Sequence, residues 1–240
     1  MKKLTLTICL TLAVLLGSTG TSWGADFNKG LAAAQSGDFA TALREFRPLA
    51  EHGHANAQFG LGLMYAKGEG VLQDYKTALK WYTLAAEQGH TKSQFALGVM
   101  YQKGRGVLQD DKTAVKWSTL AAEQGVAGAQ FNLGFMYEEG RGVPQDDKTA
   151  VKWYTLAAEQ GYADAQTNLG FMYQYGQGVP QDYKTAVKWY TLAAEQGNAD
   201  AQNNLGLMYD KGDGVPQDYK TAVKWYTHAA EQGDAYAQSN

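Results

Sequence analysis

Cysteine is all but missing from this chain. The only one, Cys9, sits inside an apolar run near the start. A lipid-attachment cysteine needs a small residue before it and most of the apolar segment ahead of it. Here Ile8 precedes Cys9 and the apolar run continues past it. Past residue 9 the chain therefore has no disulfide, thiolate nucleophile or cysteine-ligated metal site available to it. Proline is scarce at 4 residues, and three of these, Pro144, Pro180 and Pro216, occupy one recurring place. After residue 16 no apolar run approaches the ~18 residues of a membrane span. A basic excess is also lacking, with 21 Lys and Arg against 24 Asp and Glu. That balance argues against nucleic acid and against anionic membrane surfaces, both of which call for a basic patch.

The first residues have the layout of a secretory signal peptide. Lys2 and Lys3 precede an uncharged run over residues 4–16, and a small, polar stretch follows to Gly24. Cleavage after Gly24 leaves small residues, Ser22 and Gly24, at the two key positions. Cleavage after Ala25 would put Trp23 where a small side chain is preferred. The expectation is a leader over residues 1–24, a mature chain from Ala25, and a periplasmic or secreted location without stable membrane insertion after cleavage. The alternative is a retained N-terminal anchor. Without Lys2 and Lys3, 19 basic side chains remain against 24 acidic ones.

What dominates the rest is repetition. A block of 36 residues recurs five times, over 54–89, 90–125, 126–161, 162–197 and 198–233. A fixed period of this size marks a stacked solenoid. The first half of each block is periodic as a helix. Ala57, Leu61, Met64 and Tyr65 make one stripe, and Gly62 lies beside it. Glycine inside a helix costs about 1 kcal/mol relative to alanine. Its return at Gly98, Gly134, Gly170 and Gly206 therefore predicts close approach of a second helix there. Gly68 is placed to end the helix in the left-handed conformation, and Val71 to turn back toward the core. Asp74 and its counterparts Asp110, Asp146, Asp182 and Asp218 are expected N-caps. The second helix carries Ala78, Trp81, Tyr82, Ala85 and Ala86 on one stripe. Trp81, Trp117, Trp153, Trp189 and Trp225 are expected as structural aromatics, with Trp153 buried between its own hairpin and the next.

The ends depart from the pattern. Residues 26–53 read as a shortened first hairpin, with its loop reduced to Ser36-Gly37-Asp38 and Pro48 placed to kink its second helix. Residues 234–240 begin a sixth copy. His228 replaces the leucine of the other copies, as expected where no complete repeat follows to cover that position.

The pattern AQxxLGxMYxxGxGVxQDxxKTAxKWYxxAAEQG resembles the Sel-one-like repeat, a relative of the tetratricopeptide repeat, over nearly all of the mature chain. The resemblance implies an all-α, right-handed superhelical solenoid of helix–loop–helix units whose first helices line the concave side. It also implies a non-catalytic scaffold or adaptor that binds protein or peptide, and for exported bacterial members a role in the envelope or toward a host. A cysteine-rich branch is linked to penicillin binding or hydrolysis, but the paired cysteines of that branch are missing here.

Signals of chemistry are weak. Gly20-Thr21-Ser22-Trp23-Gly24 matches a nucleophile-elbow pattern but straddles the leader boundary. Residues 106–113 imitate a phosphate loop with Asp110 and Asp111 where anions would be repelled. Thr77-x-x-Lys80 imitates a β-lactamase spacing on a solvated face. His52, His54 and His90 read as turn residues. His54 and His90 stand one repeat apart, about 10 Å by helix packing, too far to share one metal ion. The aromatic rows could hold a sugar or stack on bases, but their spacing makes them core first. No cofactor, metal site or catalytic residue is expected. The alternatives to a scaffold are an envelope enzyme of β-lactamase or peptidoglycan-hydrolase type and a purely structural spacer.

Candidate binding residues come from where the copies disagree. Second helices hardly vary, whereas the position of Phe59 becomes Phe95, Phe131, Thr167 and Asn203. That of Gly60 becomes Ala96, Asn132, Asn168 and Asn204, and that of Lys67 becomes Lys103, Glu139, Tyr175 and Lys211. These sites lie off the apolar stripe, so they are expected on a concave face. Asn132, Asn168 and Asn204 would present a ladder of amides to an extended peptide.

Overall fold

The computed structural model describes residues 25–232. Among these it contains twelve helices and no strand. They are α1 (Phe27–Gln35), α2 (Phe39–Glu51), α3 (Ala55–Lys67), α4 (Tyr75–Glu87), α5 (Thr91–Lys103), α6 (Asp111–Glu123), α7 (Ala127–Glu138), α8 (Asp147–Glu159), α9 (Ala163–Tyr175), α10 (Tyr183–Glu195), α11 (Ala199–Lys211) and α12 (Tyr219–Glu231). Each packs on the helix before and the helix after it in sequence, which is a solenoid of stacked hairpins. The expected leader and the start of a sixth copy lie outside the described residues.

Local chemistry sets the helix ends. Asp74 Oδ1 accepts from the backbone N–H of Lys76 and Thr77, and Oδ2 accepts from the Thr77 hydroxyl at 2.6 Å. The same cap starts α6, α8, α10 and α12 at Asp110, Asp146, Asp182 and Asp218. These bonds satisfy N–H groups that have no partner within the helix. They also hold all five carboxyls below the usual aspartate range, with the threonine hydroxyl as the largest cause. The threonine that imitates a nucleophile is thus engaged in capping. Gly68 ends α3 at φ 75°, in the left-handed region that glycine adopts freely. Helix α2 runs through Pro48 to Glu51 without a break.

The expected close approach at Gly62 is present. A Cβ there would lie 2.6 Å from the Tyr82 ring, and Gly134, Gly170 and Gly206 meet Tyr154, Tyr190 and Tyr226 in the same way. At Gly98 the neighbour is the Ser118 hydroxyl. Leucine and methionine of the first helix, the tyrosine, and the paired alanines of the second close the core.

The tryptophans differ from expectation. Tyr154 is fully buried, whereas Trp81, Trp117, Trp153, Trp189 and Trp225 are all half-buried. Neighbouring helical residues point about 100° apart. With tyrosine aimed at the glycine hole, the preceding tryptophan lands on the rim. Nor does Trp153 face the next hairpin. It covers a cluster of Ala121, Ala122, Ala129 and Leu133, built by α6 of the preceding hairpin and α7 of its own. His228 is exposed, but so are Leu84, Leu120, Leu156 and Leu192. The position faces water in every copy, so the end of the array is not the cause.

A polar device joins the repeats. Gln58, Gln94, Gln130, Gln166 and Gln202 are buried. Each donates from Nε2 to the carbonyl eight residues earlier, at Ala50, Ala86, Ala122, Ala158 and Ala194, over 3.0–3.3 Å. Each also accepts on Oε1 from the glutamine of the AAEQG turn that follows, at 2.6–2.8 Å. The AQ and EQG segments of the repeat are the two halves of one hydrogen-bonded clamp.

Candidate functional site

The first helices converge on one side of the stack. A Cβ on Gly128 of α7 would lie 3.1 Å from the Phe95 ring of α5, so neighbouring first helices nearly touch there. Two rows of side chains run along this side. One begins with Phe27, Phe59, Phe95 and Phe131 and turns polar at Thr167 and Asn203. The other stays apolar throughout: Leu31, Leu63, Val99, Phe135, Phe171 and Leu207. Register is fixed by aromatic contacts. Phe27 lies 5.6 Å from Phe46 and 5.1 Å from His54, and Phe59 lies 5.7 Å from Tyr82 and 4.9 Å from His90.

At the N-terminal end these rows open into a cavity of about 780 Å³. Its walls are Phe27 and Leu31 of α1 and Phe59, Gly60 and Leu63 of α3. The turns that precede α5 and α7, together with the first turn of α5, close it, with Lys92 and Val126 among the closing residues. The histidines act structurally. His54 Nδ1 accepts from the Ala57 N–H and His90 Nδ1 from the Ser93 N–H, each at 3.2 Å, as helix N-caps. Burial lowers the His90 pKa below the ordinary imidazole value and Lys92 lowers it further.

The expected site residues divide into two groups. Glu139, Tyr175 and Lys211 are exposed at the ends of α7, α9 and α11. Tyr175 pairs with Phe171 at 4.4 Å. Phe95 is half-buried against the core, and Asn132 is buried at 9% exposure. Asn132 donates to the Ser118 hydroxyl at 3.2 Å, and half-buried Asn168 donates to the Tyr154 hydroxyl at 3.0 Å. Asn204 is half-buried at the same register position. The expectation that packing does not dictate these positions is therefore corrected. The Gly60 position packs against the hairpin before it in several copies. Gly60 lies against the Phe46 ring, and a Cβ there would be 3.0 Å away. Ala96 packs beside Tyr82. Asn132 reaches over the small Ser118. The Tyr154 hydroxyl also donates to Glu138 at 2.5 Å. Burial raises the Glu138 carboxyl, and burial together with Glu138 raises the Tyr154 phenol.

The apolar row escaped the reading of the sequence. Its signal was present: positions 63, 99, 135, 171 and 207 are apolar in every copy yet lie two residues from the buried leucine, off the core stripe. An apolar residue repeated off the core stripe and only partly buried marks a second surface.

The Sel1 repeat profile matches five consecutive blocks, 55–90, 91–126, 127–162, 163–198 and 199–234. The chain belongs to the Sel1 repeat family. Among solved structures, a Sel1 repeat protein from Oxalobacter formigenes is 36% identical over 89% of this chain and 88% of its own, with a TM-score of 0.83. A protective antigen of uropathogenic Escherichia coli, with the same repeat fold, is 38% identical over 90% of this chain with a TM-score of 0.79. The match spans only 50% of that longer protein. An immunity protein of Pseudomonas aeruginosa is 25% identical over 76% of this chain and 67% of its own, with a TM-score of 0.50. No curated protein matches the chain in sequence.

Sel1 repeat proteins are in general protein-interaction scaffolds. Among the described residues of this Sel1 repeat chain, no His, Cys, Asp and Glu cluster could hold a metal ion. No described helix is long and apolar enough to cross a membrane.

Proposed function

We propose that this chain is a non-catalytic scaffold, exported to the periplasm or beyond, that binds a protein or peptide along its first-helix face. The observation that carries this reading is the unbroken apolar row from Leu31 to Leu207. Six hairpins each place one aliphatic or aromatic side chain there, with Leu31 and Phe171 exposed and Leu63, Val99, Phe135 and Leu207 half-buried. Apolar side chains that reach the surface in a continuous line are the feature of a docking surface, whereas scattered ones need no explanation. Glu139, Tyr175 and Lys211 stand beside the row and differ from copy to copy, which suits them to partner selection. Export rests on the leader-like residues 1–24. The Escherichia coli relative, a protective antigen, is in keeping with a role in the envelope or at the surface.

Site-directed photo-crosslinking tests the face. A benzophenone side chain at Phe171 is expected to capture a partner from envelope extract, and one at Leu156, on a second helix, is not. Equal capture from both positions would overturn the assignment. N-terminal sequencing of the exported protein tests the leader. A start at or near Ala25 is expected, and recovery of Met1 on membrane-bound material would mean an uncleaved anchor.

A further inference from the structure

The N-terminal cavity has its own chemistry, distinct from the rest of the first-helix face. Its floor is apolar, with Phe27, Leu31, Phe59 and Leu63 contributing side chains. Two charged residues reach it. Glu69 is already paired, 3.4 Å from Lys67. Lys92 makes no ion pair among the described residues, so it is the cavity's uncompensated charge. The positions equivalent to Lys92 further along the stack are Gly128, Asp164 and Asp200. The Lys67 position shows no such drift, since it reads Lys67, Lys103, Glu139, Tyr175 and Lys211. At the Lys92 position alone, positive charge stands beside the cavity and negative charge stands further along the stack.

We infer that this cavity is the anchoring pocket for a peptide segment in which a bulky apolar side chain is followed by acidic residues. This deepens the scaffold reading and rests on it. The apolar side chain fills the space between the Phe27–Phe59 row and the Leu31–Leu63 row. The acidic flank lies against Lys92. A basic flank there would leave like charges opposed at the edge of a low-dielectric hollow. The change from Lys92 to Asp164 and Asp200 at one position along the stack orients the bound segment, with its acidic end at the N-terminal hairpins.

Fluorescence anisotropy on the mature chain tests this with two labelled peptides, Ser-Gly-Leu-Phe-Glu-Glu-Ser-Gly and its charge-swapped form with Lys-Lys. The acidic peptide is expected to bind at least about tenfold more tightly. Lys92→Glu should reverse that preference. The variant should fold, because an acidic side chain suits the first turn of α5. Leu63→Asp should abolish binding of both peptides. Equal affinities, or a preference that Lys92→Glu leaves unchanged, would overturn the pocket. So would an acidic peptide that fails to bind at about 1 mM, the weak limit of useful affinity. If the peptides fail while crosslinking from Phe171 still captures a partner, the pocket is wrong and the scaffold reading stands. If both fail, both are wrong.

Discussion

Gln160 donates from its side-chain amide to the Oε1 of Gln130 at 2.7 Å, across thirty residues of chain. Gln130 in turn donates to the Ala122 carbonyl at 3.1 Å, a helix-end acceptor that also takes the Gly125 backbone N–H at 2.9 Å. Three segments of two repeats are tied at one buried amide. Gln160→Ala leaves the buried Gln130 Oε1 without its donor, and a buried group left without its partner costs about 1–3 kcal/mol. Gln130→Leu removes the buried amide whole, while the Ala122 carbonyl keeps the Gly125 N–H and exposed Gln160 keeps the Leu156 carbonyl, so it should cost about 1 kcal/mol or less. Urea unfolding of both variants measures the difference, and equal midpoints would refute the clamp.

The adjacent aromatics Trp153 and Tyr154 should also part company. Tyr154 fills the hole above Gly134 and is fully buried. Tyr154→Ala is expected to cost about 3–5 kcal/mol, as for a core aromatic. Trp153 is half-buried on the rim, so Trp153→Ala should cost roughly half of that. In a linear array the loss stays partly local, which should broaden the transition. A Trp153 variant less stable than the Tyr154 variant would restore tryptophan as the core residue.

Backbone punctuation was legible in the sequence. The repeat length, the glycine holes, the left-handed Gly68 and the aspartate caps each follow from a residue whose physics allows few other uses. Side-chain direction within a stripe was less legible. Trp153 and Tyr154 both lie near the stripe, and only the position of the glycine hole on the facing helix decides between them. Buried polar groups were least legible. Gln130 looks like a surface residue until its partners, eight residues back and thirty ahead, are brought together. The asparagines misled for a related reason. Copy-to-copy variation suggested a free surface, yet Asn132 and Gly60 are matched to Ser118 and Phe46 on the hairpin before.

Acid should weaken the fold in a defined window. Glu45 is held down to about 2 from 4.5, first by its hydrogen bond from Lys29 and then by the backbone N–H of Asp26. Asp74 and the other capping aspartates are also lowered. A carboxyl lowered in the folded state binds protons more weakly than in the unfolded chain. Its stabilisation is complete above the ordinary carboxylate range and fades as the pH falls toward the folded value. Glu138 is raised by burial and works in the opposite sense, but the lowered groups outnumber it. Urea midpoints should be flat near neutrality and fall below about pH 4. Glu45→Gln should make that fall shallower between 4.5 and about 2. An unchanged acid limb in Glu45→Gln would show that the Lys29 contact does not persist in solution.

Ser118 is where a complete repeat departs most in size from its own core; Ser93, in place of a buried alanine, is the smaller departure. The residues equivalent to Ser118 are Tyr82, Tyr154, Tyr190 and Tyr226. The surroundings for a tyrosine are nonetheless in place. Gly98 supplies the hole that Gly134 and Gly170 supply elsewhere, and nothing larger than the Ser118 hydroxyl lies against it. Gln102 stands where Gln174 accepts the Tyr190 hydroxyl at 2.7 Å. Asn132 stands where Asn168 donates to the Tyr154 hydroxyl at 3.0 Å. Ser118→Tyr should therefore bury a ring with its hydroxyl satisfied on both sides. Full burial of a large apolar side chain is worth about 1.5–3 kcal/mol. The shift Asn132 must make, away from its present bond to Ser118, reduces that to roughly 1–2 kcal/mol. Asn132→Ala in the parent should cost about 1 kcal/mol through the lost buried hydrogen bond. In the Ser118→Tyr background it should cost less, because Ala96 already packs beside Tyr82 in just such an arrangement. A double-mutant cycle on urea midpoints reads the coupling directly. A Ser118→Tyr variant less stable than the parent would mean that the hairpin has closed around serine and that the hole above Gly98 no longer admits a ring.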